Sequence, residues 1–119
     1  MPDRLRVLVV DDHPGIVKSL GRLLSIDYQV VGSLNDGTGL SEAVLQLHPD
    51  VIVMDMNLPK VDGLTACRQV MQDYPAMKVI VFTAVDDSDL RQRAFAAGAF
   101  AFVNKLGSTD LLSVMRRLD

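Results

Sequence analysis

The amino-acid sequence predicts an α/β domain: a doubly wound, five-stranded parallel sheet with helices on both faces. Three observations carry that prediction. Apolar runs of four to six residues recur five times along the 119 residues, and each is followed by a stretch whose apolar residues fall at helical spacing. The connections are only a few residues long, so each helix must be a crossover, and right-handed crossovers on a parallel sheet place helices on both faces. Four of the five runs end directly on a polar residue, which a parallel sheet gathers at one rim.

In chain order, residues 5–10 (LRVLVV) are rich in branched side chains and stop at Asp11-Asp12, as a strand buried on both faces would. Pro14 suits a first helical position. Ile16, Val17, Leu20, Leu23 and Leu24 then share one helix face, with Lys18 and Arg22 opposite. Residues 28–31 (YQVV) form the second strand, ending before Gly32, and Asn35-Asp36-Gly37 is a turn. Leu40, Ala43, Val44 and Leu47 mark the second helix, closed by His48-Pro49. The third strand, residues 51–54 (VIVM), runs into Asp55; Leu58-Pro59 and Asp62-Gly63 supply turn chemistry before a helix starting at Leu64. That helix carries Cys67, Val70 and Met71 and ends near Tyr74-Pro75. Residues 79–82 (VIVF) are the fourth strand, stopping at Thr83-Ala84. Asp86, Asp87, Ser88 and Asp89 suit the positive end of a helix dipole, and Leu90, Ala94 and Ala97 continue that helix to Gly98. Residues 100–103 (FAFV) give the fifth strand before Asn104-Lys105. Ser108 or Thr109 caps a last helix whose apolar side is Leu111, Leu112, Met115 and Leu118. The strand order expected for five such units is the flavodoxin-like 2-1-3-4-5.

Length and composition describe one globular domain over residues 1–119, 49% hydrophobic and 23% charged. A net charge of -3 and a pI near 5.2 exclude a basic field for gripping nucleic acid or an anionic membrane. The lone Cys67 excludes an internal disulfide and reads as a core residue rather than a nucleophile. There is no secretory leader pattern and no apolar run near the roughly 20 residues of a membrane span, so the expectation is a cytoplasmic protein with no membrane partner.

Asp55 has no hydrophobic reason to follow VIVM, and it stands where open parallel sheets bind ligands. Any one polar residue at a strand end is ordinary, since polar residues begin most loops. The coincidence of Asp11, Asp12, Asp55, Thr83 and Lys105 on one rim points to a site. Three carboxylates in one crevice repel unless protonated or bridged by a cation, and hard oxygen ligands favour Mg²⁺ or Mn²⁺ over zinc. Such a site leaves room for a phosphoryl oxygen. Asp55 then serves as nucleophile toward phosphorus, with Lys105 neutralising charge, Thr83 offering a hydroxyl and Ala84 leaving the approach open.

These residues carry a resemblance that covers essentially the whole chain. VLVVDD, VIVMDMNLP, the Asp62-Gly63 pair, VIVFTA and FVNK occur in the order seen in response regulator receiver domains (CheY-like) of bacterial two-component systems. The resemblance implies Asp55 as phosphoacceptor, Asp11 and Asp12 as the metal-binding acidic pair, and the Asn57 backbone carbonyl as a further metal ligand. It also implies Thr83 as the switch hydroxyl, Lys105 as the lysine on the phosphoryl group and Phe102 as the switch aromatic. The Asp-Asp-His-Pro start and the Asp-Gly-Leu run resemble the NarL/FixJ (LuxR-type) subgroup, whose members usually continue into a helix-turn-helix output domain. Two departures stand out: Leu106 follows the lysine where many receivers have proline, often after a cis peptide, and Phe102 replaces the commoner tyrosine.

The implied function is a phosphorylation-activated switch taking its phosphoryl group from a histidine kinase or phosphotransfer protein. It is not an enzyme beyond its own phosphoryl transfer and dephosphorylation. DNA is a partner only through an output domain outside this chain, and the last two helices offer a surface the family uses for dimerisation or output. The alternatives are a Mg²⁺-dependent phosphohydrolase with Asp55 as nucleophile, which lacks a general acid because Asn57 stands two residues on, and a stand-alone receiver used for protein interaction. Plainer readings apply elsewhere. His13 is an exposed residue at a helix entrance, because Mg²⁺ disfavours imidazole, and His48 is a helix end. Phe95 and Phe100 are core or half-buried packing, as is Phe102 apart from its place beside Lys105. Arg91, Arg93, Arg116 and Arg117 are solvated faces or the rim of an interaction surface. Met54, Met56, Met71, Met77 and Met115 fill gaps, with Met56 the more exposed.

Overall fold

The computed structural model describes residues 4–85, 87–106 and 108–118, with the side chains of residues 108 and 109 excepted. Asp86 and the Ser108 or Thr109 cap therefore lie outside the described residues. The elements alternate as expected: β1 (Arg6–Val10), α1 (Pro14–Leu24), β2 (Gln29–Leu34), α2 (Leu40–Leu47), β3 (Val51–Met54), α3 (Gly63–Asp73), β4 (Lys78–Thr83), α4 (Ser88–Ala96), β5 (Ala101–Asn104) and α5 (Ser108–Arg116). The strands form one parallel sheet in the order β2-β1-β3-β4-β5.

Alternation along each strand divides the core into two layers. Leu8, Val10, Ile52, Met54, Val79 and Val81 face α2, α3 and α4, where Leu40, Val44, Ala66, Cys67, Val70 and Ala94 cover them. Val7, Val9, Val51, Val53, Ile80 and Val103 face α1 and α5, meeting Leu20, Leu24, Leu111 and Met115. Because both faces are covered, the inner strands β1, β3 and β4 read as nearly unbroken apolar runs.

Local chemistry sets the boundaries. Pro14 opens α1, and His48 closes α2 in the left-handed region at φ 50 before Pro49. Asp62 caps α3, its side chain accepting from the Thr65 N–H at 2.9 Å, so the helix starts at Gly63, one residue earlier than the apolar spacing suggests.

Three sequence expectations need correction. The second strand does not stop before Gly32 but continues to Leu34, through a register shift that sets Val30 opposite Val7 and Gly32 opposite Leu8. A Cβ at Gly32 would lie 3.0 Å from Leu47 Cδ1, so this glycine lets α2 sit close to the sheet rather than ending the strand. Met56 is buried, because its side chain tucks beneath the start of α3, with Cε 2.7 Å from where a Gly63 Cβ would be. Phe95 is not core packing: it is 46% exposed on the outer face of α4.

Candidate active site

β1, β3, β4 and β5 end at one rim, and backbone hydrogen bonds continue one residue past the strands there. The Asp11 N–H donates to Leu34 O at 3.0 Å, the Asp55 N–H to Val10 O at 3.0 Å, and the Lys105 N–H to Thr83 O at 2.9 Å. The backbones that carry the polar side chains are thus held by the sheet itself. The structure brings Asp11, Asp55 and Lys105 into direct contact: Lys105 Nζ lies 2.8 Å from Asp11 Oδ2 and 2.9 Å from Asp55 Oδ2. Asp11 and Asp55 are 2% and 3% exposed, so the bridging ammonium is what relieves their repulsion.

Burial by itself would raise the pKa of Asp11, but hydrogen bonds from Lys105 and His13 outweigh it and hold the carboxyl below the usual range. Lys105 shows the complementary balance. Burial favours its neutral amine, and the hydrogen bonds to Asp11 and Asp55 overcome this and push its pKa up.

The other predicted residues surround this core. Asp12 is partly open to solvent. The exposed Asn57 donates its backbone N–H to Asp55 Oδ1 at 3.2 Å. Thr83 is buried, and its Oγ1 accepts from the Val85 N–H at 3.3 Å. Phe102 is buried within the core layer beneath α4, and the Arg91 guanidinium stands 5.1 Å from its ring centroid. No peptide bond among the described residues is cis.

Sequence reasoning underrated two residues. His13 is exposed at the start of α1, as expected, yet its Nδ1 lies 2.9 Å from Asp11 Oδ1 and 3.1 Å from Asp12 Oδ1, and its backbone N–H donates to Asp11 Oδ1 at 2.9 Å. Its position directly after the acidic pair was the available signal. Arg91 is no freely solvated charge, since it covers Phe102; nothing in a linear pattern could pair residues on α4 and β5. Cys67, His48 and Phe100 agree with their plainer readings: Cys67 is fully buried, with its thiol pushed up to about 11 by burial.

Ligand atoms of Asp11, Asp12, His13 and Asp55 lie within 4.8 Å of one another. Three carboxylates against one ammonium leave the cluster net negative, and a cavity of about 500 Å³ lined by Asp11, Asp12, Pro14 and Asn35 adjoins it. Buried hard oxygen donors with residual negative charge and an open flank fit a small divalent cation such as Mg²⁺. A carboxylate, an ammonium and a hydroxyl gathered at one sheet rim are groups that could together accept a phosphoryl group.

Comparison with known proteins agrees with this chemistry. Residues 7–116 match the family described as Response regulator receiver domain. The chain is 33% identical over 112 residues to the transcriptional regulatory protein DegU of Brevibacillus brevis, covering 92% of this chain and 48% of DegU. It is 36% identical over 105 residues to protein-glutamate methylesterase/protein-glutamine glutaminase 1 of Syntrophus aciditrophicus, covering 85% of this chain and 30% of that protein. The crystal structure of a LuxR-family two-component response regulator from Aurantimonas sp. SI85-9A1 superposes with a TM-score of 0.92 at 29% identity, covering 98% of this chain and 85% of that one. The chain therefore spans half or less of the length of these two curated relatives.

Proposed function

The chain belongs to the response regulator receiver family, and from that premise we propose that it is a switch turned on by phosphorylation of Asp55. The observation that carries this reading is Lys105 Nζ bridging the buried Asp11 and Asp55 carboxylates. An ammonium already held at the nucleophile can transfer its hydrogen bond to an incoming phosphoryl oxygen without crossing solvent.

The donor is a phosphohistidine of a histidine kinase or phosphotransfer protein. An Asp55 carboxylate oxygen attacks phosphorus, the P–N bond breaks with its electron pair passing to the imidazole nitrogen, and an acyl phosphate remains on Asp55. Asp11, Asp12, Asp55 and the Asn57 backbone carbonyl would hold Mg²⁺, or Mn²⁺ in its place, which supplies positive charge opposite the phosphoryl oxygens. Lys105 moves from Asp55 Oδ2 to a phosphoryl oxygen. Thr83 gives up its contact with the Val85 N–H and turns its hydroxyl toward another. The loop after Thr83 follows, and Phe102 with its Arg91 cover repacks, shifting a pre-existing equilibrium.

The readout lies outside the chemistry, so the domain acts as an enzyme only on its own phosphoryl group. DegU is a transcriptional regulatory protein and the structural neighbour a LuxR-family regulator; by analogy, the switch controls a DNA-binding output domain, with the α4 and α5 surface passing on the change or pairing two copies. No helix among the described residues is long and apolar enough to cross a membrane, and a phosphohistidine donor of this kind supports a cytoplasmic location.

Intact-mass analysis after incubation with Mg²⁺ and acetyl phosphate tests the reading. The wild-type chain gains one phosphoryl group and Asp55→Asn gains none. Full labelling of Asp55→Asn, or no labelling of the wild type by either acetyl phosphate or a phosphorylated kinase, sinks it.

A further inference from the structure

The turn between β2 and α2 presses against the loop that leads from Asp55 to α3. Gly37 is buried and is not among the residues with positive φ, so its own conformation does not require glycine. The close approach of two backbones does: a Cβ on Gly37 would stand 2.0 Å from Val61 O and 2.9 Å from the Val61 carbonyl carbon. Alongside, Asp36 Oδ2 lies 3.6 Å from Lys60 Nζ. Asp36 Oδ1 accepts from the Thr38 N–H at 2.7 Å and also from the Thr38 hydroxyl, which fixes the carboxylate. Lys60 sits at φ 67, a conformation uncommon for a residue with a side chain, and the surrounding contacts hold it there.

Both ends of this contact lead to the site. Leu34, just before the turn, accepts the Asp11 N–H at 3.0 Å. The loop closes on itself through the Val61 N–H to Pro59 O at 2.8 Å and the Gly63 N–H to Met56 O at 3.0 Å, and between these lies Asn57, bonded through its N–H to Asp55 Oδ1. Asn57 is exposed and its side chain anchors nothing among the described contacts. The position of its backbone is set by its buried neighbours Met56 and Leu58 together with what braces the loop from outside.

We propose that Asp36 and Gly37 are positioning residues for the Asp55 site, clamping the loop so that the backbone at Asn57 stays within reach of a cation held by Asp11, Asp12 and Asp55. The proposal rests on the metal-dependent phosphoacceptor reading above. Neither residue touches the reacting atoms; they act by linking the Asp11 end of the rim to the Asn57 loop.

The test compares wild type, Gly37→Ala and Asp36→Ala as full chains, with Mg²⁺ affinity from calorimetry, folding from urea denaturation, and the rate of Asp55 labelling by acetyl phosphate at several Mg²⁺ concentrations. Gly37→Ala weakens Mg²⁺ binding about tenfold, at the lower end of what outer partners of a metal site contribute. Asp36→Ala, which adds no bulk and serves if Gly37→Ala does not fold, weakens it about threefold, the size of effect a surface ion pair carries. Labelling of both slows at low Mg²⁺ and recovers at saturating Mg²⁺, a rescue that a loss of stability alone would not show. Unchanged Mg²⁺ affinity in folded Asp36→Ala and Gly37→Ala overturns the clamp, and so does a wild type that binds no Mg²⁺. A wild type that binds Mg²⁺ but is never labelled defeats the phosphoacceptor reading, and a weakened cation affinity in the variants would still uphold the clamp.

Discussion

Helices α3 and α4 cover the same face of the sheet side by side, yet they are attached differently. α3 buries Gly63, Ala66, Cys67 and Val70, a continuous stripe, and its first residue closes the loop behind Asp55. α4 buries Ala94 alone and presents Arg91, Arg93 and a half-exposed Phe95 to solvent. Its near end is held by the partly buried Leu90 and by Arg91 over Phe102, and tighter contacts lie at its far end. The Cys67 thiol is within 3.5 Å of Ala97 O, and Gly98 turns at φ 105, where a Cβ would stand 2.7 Å from Met71 Cγ. The near end, next to Thr83, begins with exposed Asp87 and Val85. The helix beside Asp55 is scaffold, and the helix beside Thr83 and Phe102 is held more lightly at its near end. Few buried contacts mean a low local cost of displacement, so the phosphorylation of Asp55 proposed above would displace α4 before α3.

The dry interior beneath α3 gives the largest effect expected from this contrast. With burial pushing the Cys67 thiol from 9.0 up to about 11, the unfolded chain ionises first as pH rises. The folded state then binds more protons than the unfolded state, and stability present below pH 9 is lost between pH 9 and 11, by about 2–3 kcal/mol at roughly 1.4 kcal/mol per unit. Urea unfolding at pH 8 and pH 11 should show this extra loss in wild type and not in Cys67→Ala. Equal losses in both would mean that α3 is less tightly seated than its contacts indicate.

Val70→Ala, on the same stripe, removes two buried carbons and should cost about 2 kcal/mol in urea unfolding at neutral pH. Arg91→Ala should leave global stability nearly unchanged but loosen α4. Loss of a cation–π contact of about 0.5–1 kcal/mol should speed amide exchange in α4 roughly two- to fivefold, with no change in α3. Equal acceleration in both helices would erase the contrast. Phe95→Ala should be smallest, within about 0.5 kcal/mol of wild type, since nearly half of its surface is already in water and α4 buries no residue beside it but Ala94. A larger cost would show that Phe95 packs against something in solution.

Much of this architecture is legible along the chain because it rests on short-range chemistry. Five apolar runs too short for helices, Pro14 at a helix start, Asp62 as a cap and His48-Pro49 as a stop each act within a few residues. The site is legible for a related reason: a parallel sheet brings its strand ends together, so Asp11, Asp55, Thr83 and Lys105 converge on topology alone. Three misreadings share the opposite cause. Gly32 looks like a strand terminator until Leu47 of α2 is placed against it. Met56 looks exposed until α3 closes over it, and Phe95 looks buried until α4 is seen to turn that face outward.

The sequence by itself determined the class of the fold, the strand ends that carry chemistry and the residue types at them, because periodicity and turn chemistry are local. Only the tertiary structure decided that one lysine bridges Asp11 and Asp55, that Arg91 covers Phe102, and that Gly37 meets Val61 backbone to backbone. Those contacts join residues tens of positions apart or lying on different elements. Their distances follow from how helices and loops pack on the sheet, a sum of many weak interactions that no short stretch of sequence contains.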